Sequence, residues 1–163
     1  MHKKGFTLIE LLVVVAIIGI LAAIVLASLN SARVKAIDVS IKAAMSNIRP
    51  QAAIYYEDHS LSYTSMCAFG TIGGAYPFIE NAVQRLNPTS VPGFKPTDAF
   101  LYSASGAYVV DTTYASICHA SPTAWAAITS LKSPVTANAG WCVDSTGAAK
   151  EATALGSSIY NCP

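Results

Sequence analysis

The chain has 163 residues, of which 12% are charged, and its net charge is +1 at neutral pH. This length suits one domain with an extension, and the charged fraction is about half of the roughly 25% that is usual in globular proteins. A nearly neutral chain lacks the clustered basic face of a nucleic-acid-binding protein, so we expect no direct nucleic-acid binding.

The N-terminal region joins a short basic segment to a long apolar run. Lys3 and Lys4 come first, and residues 11–27 contain no charged side chain. A membrane-spanning helix needs about 20 mainly apolar residues, and positive charge ahead of such a helix keeps that end in the cytoplasm. The run therefore predicts a membrane span, with the rest of the chain outside the cytoplasm.

Glu10 is the exception at the start of this run. A carboxylate in a spanning helix costs roughly 2.5–3.5 kcal/mol on insertion scales unless another group neutralises it. An intramembrane ionisable residue is by default a candidate functional site. Glu10 is thus the first residue for which a function has to be found.

Residues 4–10, Lys-Gly-Phe-Thr-Leu-Ile-Glu, together with the apolar run resemble the leader and N-terminal helix of type IV pilins and of the pseudopilins of type II secretion. The close resemblance covers roughly the first 35 residues. It implies that a membrane prepilin peptidase cuts between Gly5 and Phe6, and that the new N-terminal Phe6 is N-methylated. It also implies that Glu10, the fifth residue after the cut, acts in filament assembly.

Two other interpretations of the apolar run remain open. One is a conventional signal peptide cut near the small-residue site at residues 25–27, and the other is a plain uncleaved anchor. Neither accounts for the junction between Gly5 and Phe6 or for Glu10.

The helical pattern continues beyond the apolar run. One apolar stripe with three-and-four spacing is formed by Val34, Ile37, Ile41, Ala44, Ile48 and Tyr55, and the charged residues that fall largely off it are Arg33, Lys35, Asp38, Lys42 and Arg49. This spacing predicts one helix from Phe6 to about Asp58, wholly apolar over residues 6–29 and amphipathic over residues 30–58. Pro50 predicts a kink, with a full break at Arg49 as the alternative.

Residues 59–163 carry shorter elements separated by turn signals. We expect a helix over residues 79–86, a hairpin of residues 100–102 and 108–110, and strands near residues 116–119, 124–131 and 140–144 with a turn over 144–147. Consecutive short strands predict an antiparallel sheet that covers the apolar stripe of the helix. The predicted fold class is α+β, a long N-terminal helix packed against a C-terminal antiparallel head in the shape of a ladle.

The four cysteines all follow the apolar run: Cys67, Cys118, Cys142 and Cys162. An even number in the exported part predicts disulfides formed in an oxidising compartment, against the alternative of four buried thiols. Four cysteines allow three connectivities, and the sequence does not choose among them. We take Cys67–Cys118 and Cys142–Cys162 as the working pairs.

The sequence of the head gives little indication of catalysis or metal binding. His59 and His119 are expected to be surface polar groups, and adjacent strand residues such as Cys118 and His119 point to opposite faces. The aspartates are scattered, whereas calcium needs six or more oxygen ligands. We expect no metal, no cofactor and no enzymatic activity.

The sequence therefore predicts a structural subunit of four segments: a cleaved leader (1–5), an apolar helix half (6–29), an amphipathic half (30–58) and a disulfide-bonded head (59–163). The resemblance implies a major pilin in a homopolymeric filament, processed by a prepilin peptidase and N-methyltransferase and built by the pilus assembly machinery. The precursor would lie in the lipid of the bacterial cytoplasmic membrane, and the assembled pilus would be extracellular. The alternatives are a minor pilin, a pseudopilin of a secretion or DNA-uptake system, and a membrane-tethered enzyme.

Overall fold

The computed structural model describes residues 7–68, 70–86, 102–103, 116–137, 139–156 and 158–163. The chain divides into two compact units, Met1–Lys35 and Ala36–Pro163. The first helix, α1, covers Leu8–Ser46 and so contributes residues to both units.

Over residues 11–27 of the first unit, α1 is apolar on every side. Each large hydrophobic side chain between Leu8 and Leu29 is exposed, and no described residue of this unit is buried. The helix is long and apolar enough to cross a membrane. A helix that is hydrophobic all round is stable only in lipid or against other apolar surfaces, so this segment needs surroundings that the unit does not supply.

The helix is interrupted once before it ends. The second segment, α2, covers Ile48–Asp58, and Asn47 between the two segments lies in a turn. A proline ring crowds the carbonyl four residues earlier and supplies no N–H. Pro50 therefore removes the helical hydrogen bond to the Ser46 carbonyl. The sequence predicted a kink at Pro50 or a full break at Arg49. Asn47 keeps helical dihedrals, with φ of −71° and ψ of −12°, and its N–H donates to the Ala43 carbonyl at 3.2 Å, so the helix does not break fully and its local change lies one turn before Pro50.

The end of α2 at Asp58 agrees with the prediction and is formed without glycine. Ser60 adopts a left-handed conformation with φ of +56°, and the Leu61 N–H donates to the Tyr56 carbonyl at 2.9 Å. This six-to-one hydrogen bond is the closing bond of a Schellman motif. A loop then leads to α3, which covers Tyr76–Leu86 and begins three residues before the predicted start.

The sheet contains five described strands in the order of the chain. They are β1 (Tyr102–Ser103), β2 (Ser116–Ala120), β3 (Trp125–Ser130), β4 (Gly140–Asp144) and β5 (Ala149–Ala152). Strands β2 to β5 pair antiparallel with their neighbours. The α+β fold class and the three central strands are therefore confirmed.

Two features of the sheet differ from the prediction. Strand β1 pairs parallel with β2, with Tyr102 opposite Ser116, so this edge is not antiparallel; the rest of the predicted hairpin lies outside the described residues. Strand β5 was not predicted because its alanines, lysine and glutamate have low strand propensity. It is held in the sheet by pairing with β4 after the predicted turn.

The main core lies between the helices and one face of the sheet. The buried helix residues are Ile41, Met45, Ile48, Ala52 and Tyr55, and they pack with Ile79 of α3 and with Cys118, Trp125, Ala127 and Val143 of the sheet. A smaller cluster on the other face joins Ile117, Ala126, Ile128 and Cys142 to Leu155 and Cys162 of the C-terminal segment. Both faces of the sheet are thus covered, since consecutive residues of β2 and β3, which point to opposite faces, are buried.

Asp38 is buried, although the sequence pattern placed it off the apolar stripe. Only 7% of this residue is exposed, and its carboxylate accepts hydrogen bonds from the N–H groups of Lys132 at 2.6 Å and Ser133 at 3.0 Å. A buried carboxylate is tolerated when donors satisfy it. The helix is therefore fastened to the loop after β3 by a polar contact that apolar periodicity does not reveal.

Two disulfides fix the loops and the C-terminal segment. Cys67 in the loop before α3 pairs with Cys118 of β2, and Cys142 of β4 pairs with Cys162. These are the working pairs of the sequence analysis. One bond ties the helical layer to the sheet, and the other ties the end of the chain to the opposite face.

Asp144 organises the turn between β4 and β5 and reaches the C-terminal segment. Oδ1 accepts hydrogen bonds from Thr146 N at 2.9 Å, Thr146 Oγ1 at 2.7 Å and Ala148 N at 3.0 Å. Oδ2 accepts one from Cys162 N at 2.7 Å. Burial alone would raise the pKa of this carboxyl, but the four hydrogen bonds outweigh it and lower the pKa below its ordinary 3.8.

We expect Asp144→Asn to destabilise the fold by roughly 2–3 kcal/mol. The amide is uncharged and has one acceptor oxygen, so it cannot accept the hydrogen bonds of both Oδ1 and Oδ2. Since the folded-state pKa is the lower one, the stabilisation is complete above about pH 4 and is lost as pH falls toward the folded-state value. Urea unfolding of the full chain in detergent between pH 3 and 7 measures both effects. Asp58→Asn, at an exposed carboxylate, is the control, and an equal loss in both variants would contradict the assignment.

Candidate functional site

The described N-terminus of α1 is a capping box formed by Thr7 and Glu10. Thr7 N and Thr7 Oγ1 both donate to Glu10 Oε2, at 2.9 and 2.7 Å. In return, Glu10 N donates to Thr7 Oγ1 at 3.3 Å. A threonine followed three residues later by a glutamate satisfies two otherwise unpaired backbone donors in this way.

This geometry gives Glu10 a role within its own chain. A carboxylate in the first helical turn is stabilised by the helix dipole as well as by hydrogen bonds. The cost of placing Glu10 in an apolar setting is thereby reduced. Within residues 7–68, Oε1 of Glu10 accepts no hydrogen bond, so one oxygen closes the helix and the other is free for a further donor.

The sequence analysis did not identify Thr7. The signal for Thr7 is the spacing Thr-x-x-Glu immediately before an apolar helix. This spacing is present in the sequence, but the prediction used only the charge of Glu10. Gly5 and Phe6, the predicted cleavage and methylation positions, lie outside the described residues.

The two histidines behave differently from each other. His59 is exposed and stacks on the Tyr55 ring at 3.7 Å between centroids. His119 was expected at the surface but is buried, and its Nδ1 lies 3.1 Å from the Ile159 carbonyl oxygen. It thus joins β2 to the C-terminal segment, on the face opposite to that of Cys118.

The head shows no metal-binding cluster among the residues that the structure describes. No group of three or more His, Cys, Asp or Glu side chains comes together there. The four cysteines are all disulfide-bonded, and the oxygens of Asp144 face N–H and O–H donors. The chemically distinctive site of the described chain is therefore the capped carboxylate at the start of its apolar helix.

Comparison with known proteins adds evidence on the family of this chain. The family model described as the prokaryotic N-terminal methylation motif matches residues 1–26. The chain is also 47% identical over 64 residues to the type IV wide pilus major component PilA4 of Thermus thermophilus. Together these two matches support a type IV pilin.

The similarity of this pilin to PilA4 is confined to part of each protein. The matched segment is 39% of the present chain and 48% of PilA4, so the match spans about half the length of the curated relative. No solved structure matches the chain. The sheet and the disulfides are therefore described from the structure of this chain alone.

Proposed function

We propose that this chain is the major subunit of a type IV pilus, processed by a prepilin peptidase and assembled through its N-terminal helix. The observation that carries the proposal is Glu10, a carboxylate at the start of an exposed apolar helix segment, whose Oε1 accepts no hydrogen bond from the described residues. The methylation motif over residues 1–26 supports it. The similarity to PilA4, a major pilus component, favours the major role.

Assembly would use the second oxygen of Glu10. Cleavage after Gly5 leaves a cationic α-amine on Phe6, next to a helix N-terminus where positive charge is disfavoured. In a filament, that amine would approach Glu10 of an adjoining subunit, in an apolar setting where attraction is much stronger than in water. N-methylation leaves the amine protonatable. The pairing would set the axial register between subunits, and an intrachain bond between Glu10 and its own amine is the competing account.

Filament cohesion would come from packing the apolar helices together. Each buried Leu, Ile or Val contributes about 1.5–3 kcal/mol relative to water, but in lipid these side chains are already in apolar surroundings. Extraction from the membrane therefore does not proceed spontaneously, and we infer that an energy-driven assembly machine supplies the work. The precursor would lie in the cytoplasmic membrane with its head outside the cytoplasm, and the product would be an extracellular fibre.

The mass and the N-terminal residue of the mature protein test the proposal directly. We expect a chain that begins at Phe6 and carries one added methyl group. A protein that still begins at Met1, or that begins after residue 27, would overturn the proposal. Long surface fibres with this chain as their main component would distinguish a major pilin from a minor pilin or a pseudopilin.

We expect Gly5→Leu to leave the leader attached. The absent side chain of glycine opens the scissile carbonyl to the peptidase, and leucine would cover it. Immunoblotting for the mobility difference between precursor and mature chain measures this. Gly5→Ala, with the smallest side chain, is the matched control and should be processed far better. Efficient cleavage of the leucine variant would contradict the predicted cleavage position.

A further inference from the structure

Two cations follow the apolar run at the end that leaves the membrane in the proposed function. Arg33 and Lys35 lie in α1, and both residues are exposed. Cations normally gather on the cytoplasmic side of a membrane span, where Lys3 and Lys4 precede the run. The cations at the outer end oppose this bias, so the orientation of the span does not account for them.

Neither of the two outer cations has an acidic partner among the described residues. The ion pair of that part of the chain joins Lys42 to Glu151. Asp38, the nearest carboxylate in sequence, is buried and accepts hydrogen bonds from two backbone N–H groups of the loop after β3. Residues 11–56 contain no other carboxylate. The helix beyond the apolar run therefore exposes positive charge that its own chain does not balance.

The position of this pair along the helix corresponds to the headgroup layer of a bilayer. Residues 11–29 extend for about 28 Å at roughly 1.5 Å per residue, close to the hydrocarbon thickness of about 30 Å. Arg33 follows Leu29 by about 6 Å and Lys35 follows it by about 9 Å on the same scale. The headgroup layer adds about 5–8 Å on each side, and both long side chains can reach back into it.

We propose that Arg33 and Lys35 bind the phosphates of anionic phospholipids in the outer leaflet of the membrane. Arginine binds a phosphate through two parallel N–H donors, and lysine binds it as a compact charge. Residues two apart in a helix do not share a face, so the pair holds separate lipids on different sides of the helix. The inference rests on the membrane-inserted precursor of the proposed function and names its lipid partner.

Leader cleavage would leave this pair as the main headgroup contact of the span. Removal of residues 1–5 takes Lys3 and Lys4 away from the cytoplasmic end. The positive charge of the new Phe6 amine is offset by the negative charge of Glu10. The outer pair would then hold the processed chain in the membrane until the assembly machine extracts it.

Fluorescence quenching by labelled lipids measures the lipid preference of the full chain. Asn30→Cys, at an exposed helix position near the pair, takes one fluorophore because the native cysteines are all disulfide-bonded. The chain is inserted into phosphatidylcholine vesicles that contain an equal fraction of either brominated phosphatidylglycerol or brominated phosphatidylcholine. We expect phosphatidylglycerol to be favoured about 5-fold. The preference should weaken at high salt, because the Debye length falls to about 3 Å at 1 M.

Neutral variants assign the preference to the pair. Arg33→Gln combined with Lys35→Gln should reduce the ratio to about 1, and each single substitution should give an intermediate ratio, since sites without shared partners act additively. Lys150→Gln removes an exposed cation from β5 and should keep the wild-type ratio. Thermal unfolding and vesicle insertion should be unchanged in all variants. A wild-type ratio near 1, or an unchanged ratio in the double variant, would overturn the inference.

The failure of this inference is distinguishable from that of the proposed function. The lipid ratio is measured without filaments, so it still decides the inference if the chain forms no fibres or keeps its leader in cells. Loss of filaments in the double variant together with an unchanged lipid ratio would assign the pair to a protein partner. That result would overturn the inference and leave the proposed function intact.

Discussion

Replacing Glu10 by leucine is expected to abolish filaments while insertion and leader cleavage persist. Leucine makes the start of the helix more apolar, so the membrane segment is retained, and it leaves the cleavage junction unchanged. It removes the carboxylate that would pair with the Phe6 amine of the next subunit. Electron microscopy of sheared surface fibres and immunoblotting of membrane fractions measure the two outcomes separately.

Glu10→Gln separates the two roles of this residue. Glutamine also forms capping boxes, so its side-chain carbonyl can accept the Thr7 hydrogen bonds seen for Oε2. It carries no charge. If intersubunit pairing is the essential role, the glutamine variant fails to assemble as the leucine variant does. Normal fibres from Glu10→Gln would assign Glu10 to helix capping alone, and normal fibres from Glu10→Leu would refute a role in assembly.

Loss of the Cys67–Cys118 disulfide is expected to destabilise the head by about 4 kcal/mol, because the bond closes a loop with a sequence separation of 51. The matched comparison is the Cys142–Cys162 bond, whose separation of 20 corresponds to about 3 kcal/mol. Alanine pairs at each disulfide, unfolded by urea in detergent, provide the two values. Alanine avoids placing a new hydroxyl in the core.

The order of the two losses is the critical result. Chain-entropy stabilisation increases with loop length, so the Cys67–Cys118 variant should unfold at the lower urea concentration. The reverse order would show that the Cys142–Cys162 bond is important mainly for holding the C-terminal segment beside Asp144. Unchanged stability in both variants would contradict a stabilising role for either bond.

The long helix and the central strands could be predicted because their signals are local and repeated. The spacing of Ile37, Ile41 and Ile48 indicates one helix face, and the runs of β2, β3 and β4 are bounded by turn residues. The family could likewise be recognised from residues 4–10, because a leader glycine, a phenylalanine and a glutamate at fixed spacing precede an apolar segment.

The features that the sequence did not reveal depend on contacts distant in the chain. Asp38 is buried because the loop at Lys132 and Ser133 supplies its donors, and no periodicity encodes such partners. His119 is buried because the C-terminal segment returns across β2. Strand β5 has helix-favouring residues and becomes a strand through pairing with β4. The capping role of Thr7, by contrast, has a local signal, the spacing Thr-x-x-Glu, and could have been predicted from the sequence.

The position of the core in the chain has a consequence for the timing of folding. The apolar stripe at residues 41–55 is synthesised well before the part of its cover that lies at residues 118–143. Asp38 likewise waits for donors 94 and 95 residues further along. Contacts of such long range form slowly, and the uncovered surface invites aggregation meanwhile. We therefore expect a newly synthesised chain to need a chaperone or a membrane surface to shield this stripe until residues 118–143 have been added.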